Sequence, residues 1–276
     1  MMYSTAEKQQ ALTELLRELD PVVVAYSGGV DSSYLAAVAH DALGADRAVA
    51  VTAVSPALAR SELDDARGLA RRLGWNHMLV ETHEGEREEY ARNASDRCYW
   101  CKTELFDVLD PIARVRSAQI VTGTNADDLG DYRPGLRAAR ERAVRAPLAE
   151  VGLTKDEVRS LSAARGLPSA DKPASPCLAS RFAYGVRVTR DGLRRVEEAE
   201  RYLRSLGFRE LRVRDHGDLA RVEVPAEDIG RAAERHAQIA ETFSGLGFKY
   251  VTLDLMGFRS GSLNEILSID KLGRPR

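Results

Sequence analysis

The fold of this chain is constrained most by a short apolar run that is followed by a loop with two adjacent glycines. Residues Val22–Tyr26 read VVVAY, a length and β-branched content typical of a buried strand. The next seven residues, Ser27–Ser33, read SGGVDSS, and helical spacing of apolar residues runs from Ser32 to Leu43. Adjacent glycines let the backbone turn with its N–H groups facing inwards. The segment therefore predicts a strand, an anion-binding loop and a helix whose N-terminus faces the same anion.

The alternation of strand and helix continues through the first half of the chain. Strand patterns at Arg47–Val54, His77–Val80 and Gln119–Thr122 are interspersed with helical patterns at Ser61–Leu73 and Phe106–Arg116. Strands separated by single helices form βαβ units, which place the strands parallel. We predict an α/β fold with a doubly wound, mainly parallel sheet.

A different pattern begins after Val188. It consists of a helix, two alternating segments typical of a hairpin, a second helix and a last strand, at Asp191–Leu206, Glu210–Arg214, Leu219–Val224, Ala226–Phe243 and Tyr250–Leu255. This is the pattern of a second, smaller α/β unit. We predict two domains, residues 1–186 and 187–276, with the second serving substrate binding or oligomerisation.

Charge and hydropathy limit the possible partners. The 276 residues include 40 Lys and Arg against 42 Asp and Glu, which gives a formal net charge of -2. This balance argues against a protein that binds nucleic acid over its whole surface. No apolar run approaches the roughly 20 residues that a membrane span needs, and the N-terminus lacks the apolar stretch of a signal peptide. We expect a cytoplasmic protein with neither a membrane nor a nucleic acid as partner.

Two segments predict a nucleotide site. The glycine loop lacks the Gly-Lys-Ser/Thr of kinase-type P-loops, and SGGVDSS resembles the PP-loop of enzymes that cleave ATP between the α- and β-phosphates. That resemblance implies AMP transfer to a carboxyl or carbonyl oxygen. The second segment, Gly123–Asp128, reads GTNADD and follows the strand pattern Gln119–Thr122. Alone it would be an Asx-rich turn, but ligands of open α/β sheets bind at the carboxyl ends of the strands.

Three cysteines carry the remaining chemistry. Cys98 and Cys101 form a Cys-x-x-Cys, and Cys177 lies in the sequence SPCLASRF. An odd number without a secretion signal argues against a disulfide framework. The Cys-x-x-Cys alone is compatible with a redox pair, half of a zinc site, an iron–sulfur ligand pair or buried inert thiols. Three thiolates suit a [4Fe–4S] cluster with one open iron at which sulfide could bind.

Taken together, these motifs resemble the LarE family. The resemblance covers nearly the whole chain and includes the segment Asp131–Gly135, which reads DYRPG, together with Arg212–Arg214 and Glu223. Members thiolate pyridinium-3,5-biscarboxylic acid mononucleotide in the biosynthesis of the nickel-pincer cofactor of lactate racemase. The resemblance therefore implies an ATP-dependent sulfur transferase that adenylates a carboxylate and replaces AMP with sulfur.

The resemblance also implies roles for individual residues. ATP, with Mg²⁺, would be bound by Ala25, Ser27, Gly28, Gly29, Asp31, Ser32, Ser33, Gly123, Thr124, Asn125, Asp127 and Asp128. Catalysis would involve Asp31, the nucleophile Cys177, and Arg181 at the α-phosphate. The substrate would be bound by Ser180, Glu200, Arg212, Arg214 and Glu223, with Asp131 and Arg133 lining the chamber. The cluster ligands would be Cys98, Cys101 and Cys177.

The source of the sulfur depends on the number of cysteines. Members that have only the cysteine equivalent to Cys177 sacrifice it and are left with dehydroalanine. The three-cysteine type resembles cluster-dependent tRNA thiolation enzymes and would deliver sulfide from a sulfur donor repeatedly. Family resemblance also implies a homo-oligomer, a hexamer. The alternatives are a tRNA thiolation enzyme and a non-catalytic nucleotide- or metal-binding protein.

Overall fold

The computed structural model describes residues 4–130, 134–173 and 175–259. The chain forms two compact units, each built from two stretches of sequence. The first unit comprises Met1–Glu84 and Cys98–Ser175, and the second comprises Gly85–Arg97 and Pro176–Arg276.

The first unit contains a four-stranded parallel sheet. Its strands are β1 Val22–Ala25, β2 Ala48–Val54, β3 His77–Glu81 and β4 Gln119–Thr122. They lie in the order β3-β2-β1-β4, and each neighbouring pair is parallel. The α/β fold with a parallel sheet is therefore confirmed.

The described helices match most of the predicted ones. In chain order they are α1 Thr5–Glu18, α2 Val30–Leu43, α3 Arg60–Arg72, α4 Glu88–Ala91, α5 Arg97–Arg116, α6 Pro134–Glu141, α7 Pro147–Glu150, α8 Lys155–Ala164, α9 Arg190–Ser205, α10 Ile229–Glu234 and α11 His236–Gly245. Not one of the helices in the described ranges is long and apolar enough to cross a membrane.

Strand β1 is buried from both faces of the sheet. Val22 and Val24 belong to one apolar cluster with Leu12 of α1 and Leu35 of α2. Val23 belongs to a second cluster, which includes Phe106 and Leu109 of α5. A strand covered by helices on both faces carries apolar residues at every position, which explains the continuous VVVA run.

Two helices differ from their predicted bounds. Helix α5 begins at Arg97 rather than Phe106, so Cys98 and Cys101 lie in its first two turns. The extension lacks an amphipathic pattern, but its Tyr99 contacts α6, where the hydroxyl donates to Glu141 at 2.6 Å. The pattern at Ala226–Phe243 is interrupted, because α10 and α11 are separated at Arg235.

The second unit packs α9 against a three-stranded sheet. Its strands are β5 Arg212–Asp215, β6 Leu219–Glu223 and β7 Tyr250–Leu253, with β5 antiparallel and β7 parallel to β6. The apolar face of α9 buries Leu193, Val196 and Leu203. These elements form the smaller α/β unit that the sequence predicts.

The second unit also includes a segment from the first half of the chain. The side-chain amide of Asn93 donates to the carbonyl oxygens of Ala183 at 2.8 Å and Val186 at 3.1 Å. These bonds fasten residues 85–97 to the chain after Pro176. The compact units are defined by such contacts, whereas a domain also folds independently. The division into domains 1–186 and 187–276 therefore stays a prediction.

Candidate nucleotide and thiol sites

The glycine loop joins β1 to α2 and is held closed by its own side chains. The hydroxyl of Ser32 accepts a hydrogen bond from the backbone N–H of Ser27 and donates to the carbonyl of Gly29, both at 3.2 Å. Gly28 has φ +75°, and a Cβ there would lie 2.9 Å from the Cβ of Ala66. Only glycine fits this position without strain. The result is a compact turn at the N-terminal end of α2.

The segment after β4 lies directly against this loop. A Cβ on Gly123 would be 2.7 Å from the backbone nitrogen of Ser32 and 2.9 Å from the carbonyl carbon of Asp31. The side-chain amide of Asn125 donates to Asp31 at 3.3 Å, and its Oδ1 accepts from the backbone of Asp127 at 3.0 Å. The structure thus brings together the two segments that the sequence predicts to bind the nucleotide.

Lys155 is a member of this cluster that the sequence interpretation missed. It is the first residue of α8, and its ammonium group pairs with Asp31. Its backbone N–H donates to the carboxylate of Asp127 at 2.7 Å. A lysine at a helix N-terminus is opposed by the helix dipole, and that unfavourable placement is the signal from which a carboxylate partner could have been inferred.

In the second unit, a buried ion pair holds the chain around Cys177. Arg181 and Glu200 have side chains 3% and 1% exposed, and Arg181 Nε donates to Glu200 at 2.9 Å. Nη1 of Arg181 donates to the carbonyl oxygens of Pro176 and Cys177. Burial raises the pKa of Glu200, but the charges of Arg181 and Arg204 outweigh it and hold the pKa below its ordinary value. Arg181 is therefore bonded to the backbone on both sides of the exposed thiol.

A second buried network reaches the same loop and was also missed. Asn93 is fully buried with φ +54°, and its Oδ1 accepts a hydrogen bond from Arg97. Arg97 Nη1 also donates to the carbonyl of Ala179 at 2.8 Å, two residues beyond Cys177. In the sequence, Arg97 is notable only as the residue before Cys98, and nothing in its neighbourhood signals a long-range partner.

The predicted substrate residues of β5 and β6 lie close together. Arg214 donates to the buried Glu223 through Nε at 2.9 Å, and Arg221 donates to the other carboxylate oxygen at 3.0 Å. Arg214 also donates to the carbonyl of Ser180 at 3.2 Å. Arg212 is half-buried, and its pKa is lowered by burial and by the neighbouring positive charge of Arg181. An anion near Arg212 would relieve that repulsion.

Cys98 and Cys101 are one helical turn apart on α5. Cys98 is exposed and Cys101 is half-buried, while Cys177 is exposed in the second unit. Gly135 of α6 lies beside this turn, since a Cβ there would be 2.8 Å from Cγ of Lys102 and 3.4 Å from the carbonyl oxygen of Cys98. Within the described ranges, no group of three or more His, Cys, Asp or Glu side chains could hold a metal ion. Asp131 and Arg133, predicted to line the chamber, lie outside the described residues.

The fold and the loop together define a class of protein. A parallel sheet carries an SGGVDSS turn at the carboxyl end of β1, and a Gly-Thr-Asn segment at the end of β4 packs against it. This is the arrangement of a PP-loop protein.

Comparison with known proteins narrows the class. The model of the NAD synthase family matches residues 6–118. The chain is 40% identical over 268 residues to the pyridinium-3,5-bisthiocarboxylic acid mononucleotide synthase of Lactiplantibacillus plantarum, with 97% of each chain covered. It is 48% identical over 264 residues to the uncharacterized protein slr1717 of Synechocystis, which covers 95% of this chain and 98% of the relative. It is also 29% identical to a tRNA-specific 2-thiouridylase of Rickettsia felis, over 56% of this chain and 52% of the relative. The chain belongs to the LarE family of PP-loop enzymes.

Gly123→Ala tests the contact between the two nucleotide segments. The added methyl would meet the backbone of Asp31 and Ser32 below 3.0 Å, so we expect a loss of about 1–3 kcal/mol in the free energy of unfolding, measured by urea titration. ATP affinity should fall with it. Gly130→Ala is the control, because a Cβ there meets nothing within 4 Å. Equal effects of the two substitutions would contradict the contact.

Glu200→Gln tests the ion pair beneath Cys177. It removes the negative partner of the buried Arg181, and breaking a buried pair in this way costs about 3 kcal/mol or more. The measurement is the free energy of unfolding in urea at neutral pH. Glu198→Gln on the same helix is the control, since Glu198 pairs with the exposed Arg194 only at 3.7 Å and should cost about 0.5 kcal/mol or less. A Glu200→Gln variant as stable as Glu198→Gln would show that the pair does not stabilise the unit.

Proposed function

We propose that this chain is an ATP-dependent, AMP-forming sulfur transferase. Its substrate is pyridinium-3,5-biscarboxylic acid mononucleotide, one carboxylate of which it adenylates and converts to a thiocarboxylate. The reaction serves the biosynthesis of the nickel-pincer cofactor of lactate racemase. The observation that carries the proposal is the similarity to the Lactiplantibacillus plantarum synthase over 97% of both chains.

The first step is adenylation at the PP-loop. A substrate carboxylate oxygen attacks the α-phosphorus of ATP, the bond to the bridging oxygen breaks, and pyrophosphate leaves. The backbone turn at Gly28 and the N-terminus of α2 would stabilise the phosphate charge. Mg²⁺ is usually held by one or two protein carboxylates together with substrate phosphates. Asp31 and Asp127 fit this role, and the ion would neutralise charge on the polyphosphate.

The second step transfers sulfur. The thiolate of Cys177 attacks the acyl carbon, and AMP leaves with the electron pair of the acyl C–O bond, so that a thioester forms. In the sacrificial route a base removes the α-proton of Cys177. The Cβ–S bond then breaks, sulfur keeps the electron pair as the thiocarboxylate, and dehydroalanine remains. The exposure of Cys177 and the backbone bonds from Arg181 support this role. Contact of Arg181 with the α-phosphate stays a prediction.

The substrate phosphate would bind at Arg212. Its guanidinium lies over the ring of Phe258 at 5.1 Å, and burial and the charges of Arg181, Arg214 and Arg204 lower its pKa, while the charge of Glu200 opposes them. This excess of positive charge supports an anionic ligand. Arg214 is bonded to Glu223 and to the carbonyl of Ser180. We propose that these groups, with Glu200, shape the pocket for the mononucleotide.

We also propose that Cys98, Cys101 and Cys177 ligate a [4Fe–4S] cluster. Two thiols one turn apart on a helix can ligate one cluster, and an open iron would accept sulfide from a sulfur donor. Among the residues that the structure describes, no group of three or more His, Cys, Asp or Glu side chains could hold a metal ion. The two steps above require only the thiol of Cys177.

We propose further that the protein is a cytoplasmic homo-oligomer, a hexamer, whose residues 187–276 bind substrate or mediate assembly. Neither a nucleic acid nor a membrane is an expected partner. A tRNA thiolation enzyme is the second candidate, because the chain is 29% identical to a tRNA-specific 2-thiouridylase over 56% of its length. A non-catalytic nucleotide- or metal-binding protein is the third.

Cys177→Ser tests the nucleophile. Serine keeps the size of the side chain but is a far weaker nucleophile at neutral pH, so we expect thiocarboxylate formation to fall at least about a thousand-fold. Pyrophosphate release with ATP and the biscarboxylic mononucleotide should persist for the first turnover. Both products are measured by chromatography. Ser175→Ala, in the same exposed stretch, should stay within about twofold of the wild type.

Undiminished thiolation by Cys177→Ser would refute the mechanism. Absence of pyrophosphate release from the wild type with this substrate would favour the non-catalytic alternative. Thiolated tRNA as the product, together with salt-sensitive tRNA retention, would favour the second candidate.

Intact mass after turnover tests the source of the sulfur. If a cluster delivers the sulfur, protein purified anaerobically should contain iron and sulfide, absorb visible light and keep its mass over several turnovers. The double substitution Cys98→Ala and Cys101→Ala should remove the iron and the absorption. A wild-type chain that loses the mass of one H₂S after a single turnover would instead identify Cys177 as sacrificed.

A further inference from the structure

The backbone that carries Cys177, residues 176–183, forms few hydrogen bonds of its own. Cys177 directly precedes a single 3₁₀ turn, Leu178–Arg181. The N–H of Ser180 donates to the carbonyl of Cys177 at 2.9 Å, and that of Phe182 donates to the carbonyl of Ala179 at 3.2 Å. A helical turn this short is not stable by itself. The position of the thiol therefore depends on contacts from other parts of the second unit.

Guanidinium groups supply such contacts at the carbonyl oxygens of this segment. Arg181 and Arg214 donate to three of them, those of Pro176, Cys177 and Ser180. A fourth, that of Ala179, accepts from Nη1 of Arg97 at 2.8 Å. Arg97 is only 9% exposed, and a buried charge is costly unless its hydrogen-bonding partners stay in place. Arg97 and the turn after Cys177 therefore fix each other.

Asn93 holds Arg97 and the far end of the segment at once. Its side-chain Oδ1 accepts from Arg97, and its amide donates to the carbonyls of Ala183 at 2.8 Å and Val186 at 3.1 Å. Its backbone carbonyl accepts from the N–H of Gly185 at 3.1 Å. Asn93 is fully buried and has φ +54°, a left-handed conformation that asparagine tolerates better than most residues. One side chain thus uses its acceptor and its donors on three separate parts of the second unit.

We infer that Arg97 and Asn93 are positioning residues for sulfur transfer. Asn93 orients Arg97, and Arg97 holds the turn that follows Cys177, so that the thiolate meets the acyl carbon without a search over backbone conformations. The inference rests on the proposed function for the step that it names. Adenylation does not use this thiol, so loss of either residue should slow the second step and spare the first.

Asn93→Gly tests the inference in the full chain, because glycine adopts φ +54° without strain and removes only the side-chain bonds. At saturating ATP and biscarboxylic mononucleotide, thiocarboxylate formation in the first turnover should fall about 10- to 100-fold, while pyrophosphate release should stay within about twofold of the wild type. Arg97→Met should give the same pattern. The double variant should be no slower than either single variant, because the two residues act through one chain of contacts.

The exposed neighbour Arg92 provides the matched control. Its side chain is 51% exposed and pairs with Asp96 on the surface, so Arg92→Met should leave both steps within about twofold of the wild type.

Hydrogen exchange read by mass spectrometry tests the same variants without substrate. The amides of residues 176–186 should exchange at least about tenfold faster in Asn93→Gly, and those of α9 should be unchanged, because the opening is local. This measurement separates a loosened Cys177 segment from a general loss of stability in the second unit.

Three results would overturn the inference. The first is thiocarboxylate formation by both single variants within twofold of the wild type. The second is equal slowing of pyrophosphate release and thiocarboxylate formation, and the third is faster exchange throughout α9, since either would show that the residues act only on overall stability. A wild-type chain that makes no thiocarboxylate would refute the proposed function instead, and the exchange rates would still decide whether Arg97 and Asn93 hold the segment.

Discussion

The close approach of Gly123 to the backbone of Asp31 and Ser32 is the constraint on which the nucleotide site depends. It exists because β1 and β4 are parallel neighbours, so the segments at their carboxyl ends emerge side by side. In the order β3-β2-β1-β4, the chain runs from β1 outwards to β3 and then returns to the other side of β1 as β4. The strand order therefore reverses between β1 and β4, and this is where open α/β sheets bind ligands. Because Gly123 has no Cβ, the two segments can pack in direct contact. Asn125 then reaches Asp31, and Asp127 reaches α8.

In the second unit, buried ion pairs rather than close backbone contacts hold the segment around Cys177 in place. Arg181 and Arg214 each bind a buried carboxylate and also donate to backbone carbonyls between Pro176 and Ser180. Charges buried to this extent are stable only when their partners stay in place. The Cys177 segment therefore has a fixed backbone and an exposed thiol, which suits a nucleophile that must meet a substrate without moving.

The sequence predicted the first unit well for identifiable reasons. Strands buried on both faces are continuously apolar, and the glycine loop has few alternatives, so β1 and the start of α2 were predicted to within a few residues. The start of α5 was placed nine residues late, because its first turns are fixed by contacts with α6 such as that of Tyr99 with Glu141. Arg97 and Asn93 were missed for the same reason. Their partners lie more than 80 residues away in the chain, and no local pattern encodes them.

The sequence by itself determined the parallel α/β fold, the PP-loop, the three thiols and the family, because each of these can be recognised from residue types at short spacing. Only the tertiary structure decided which side chains share a site. It brought the Gly123 segment against the loop, set Lys155 on Asp31 and placed Arg181 beneath Cys177. Those pairings depend on the order of strands in the sheet and on burial, which act between residues far apart in the chain. Spacing along the sequence therefore identified the chemical groups, and packing selected their partners.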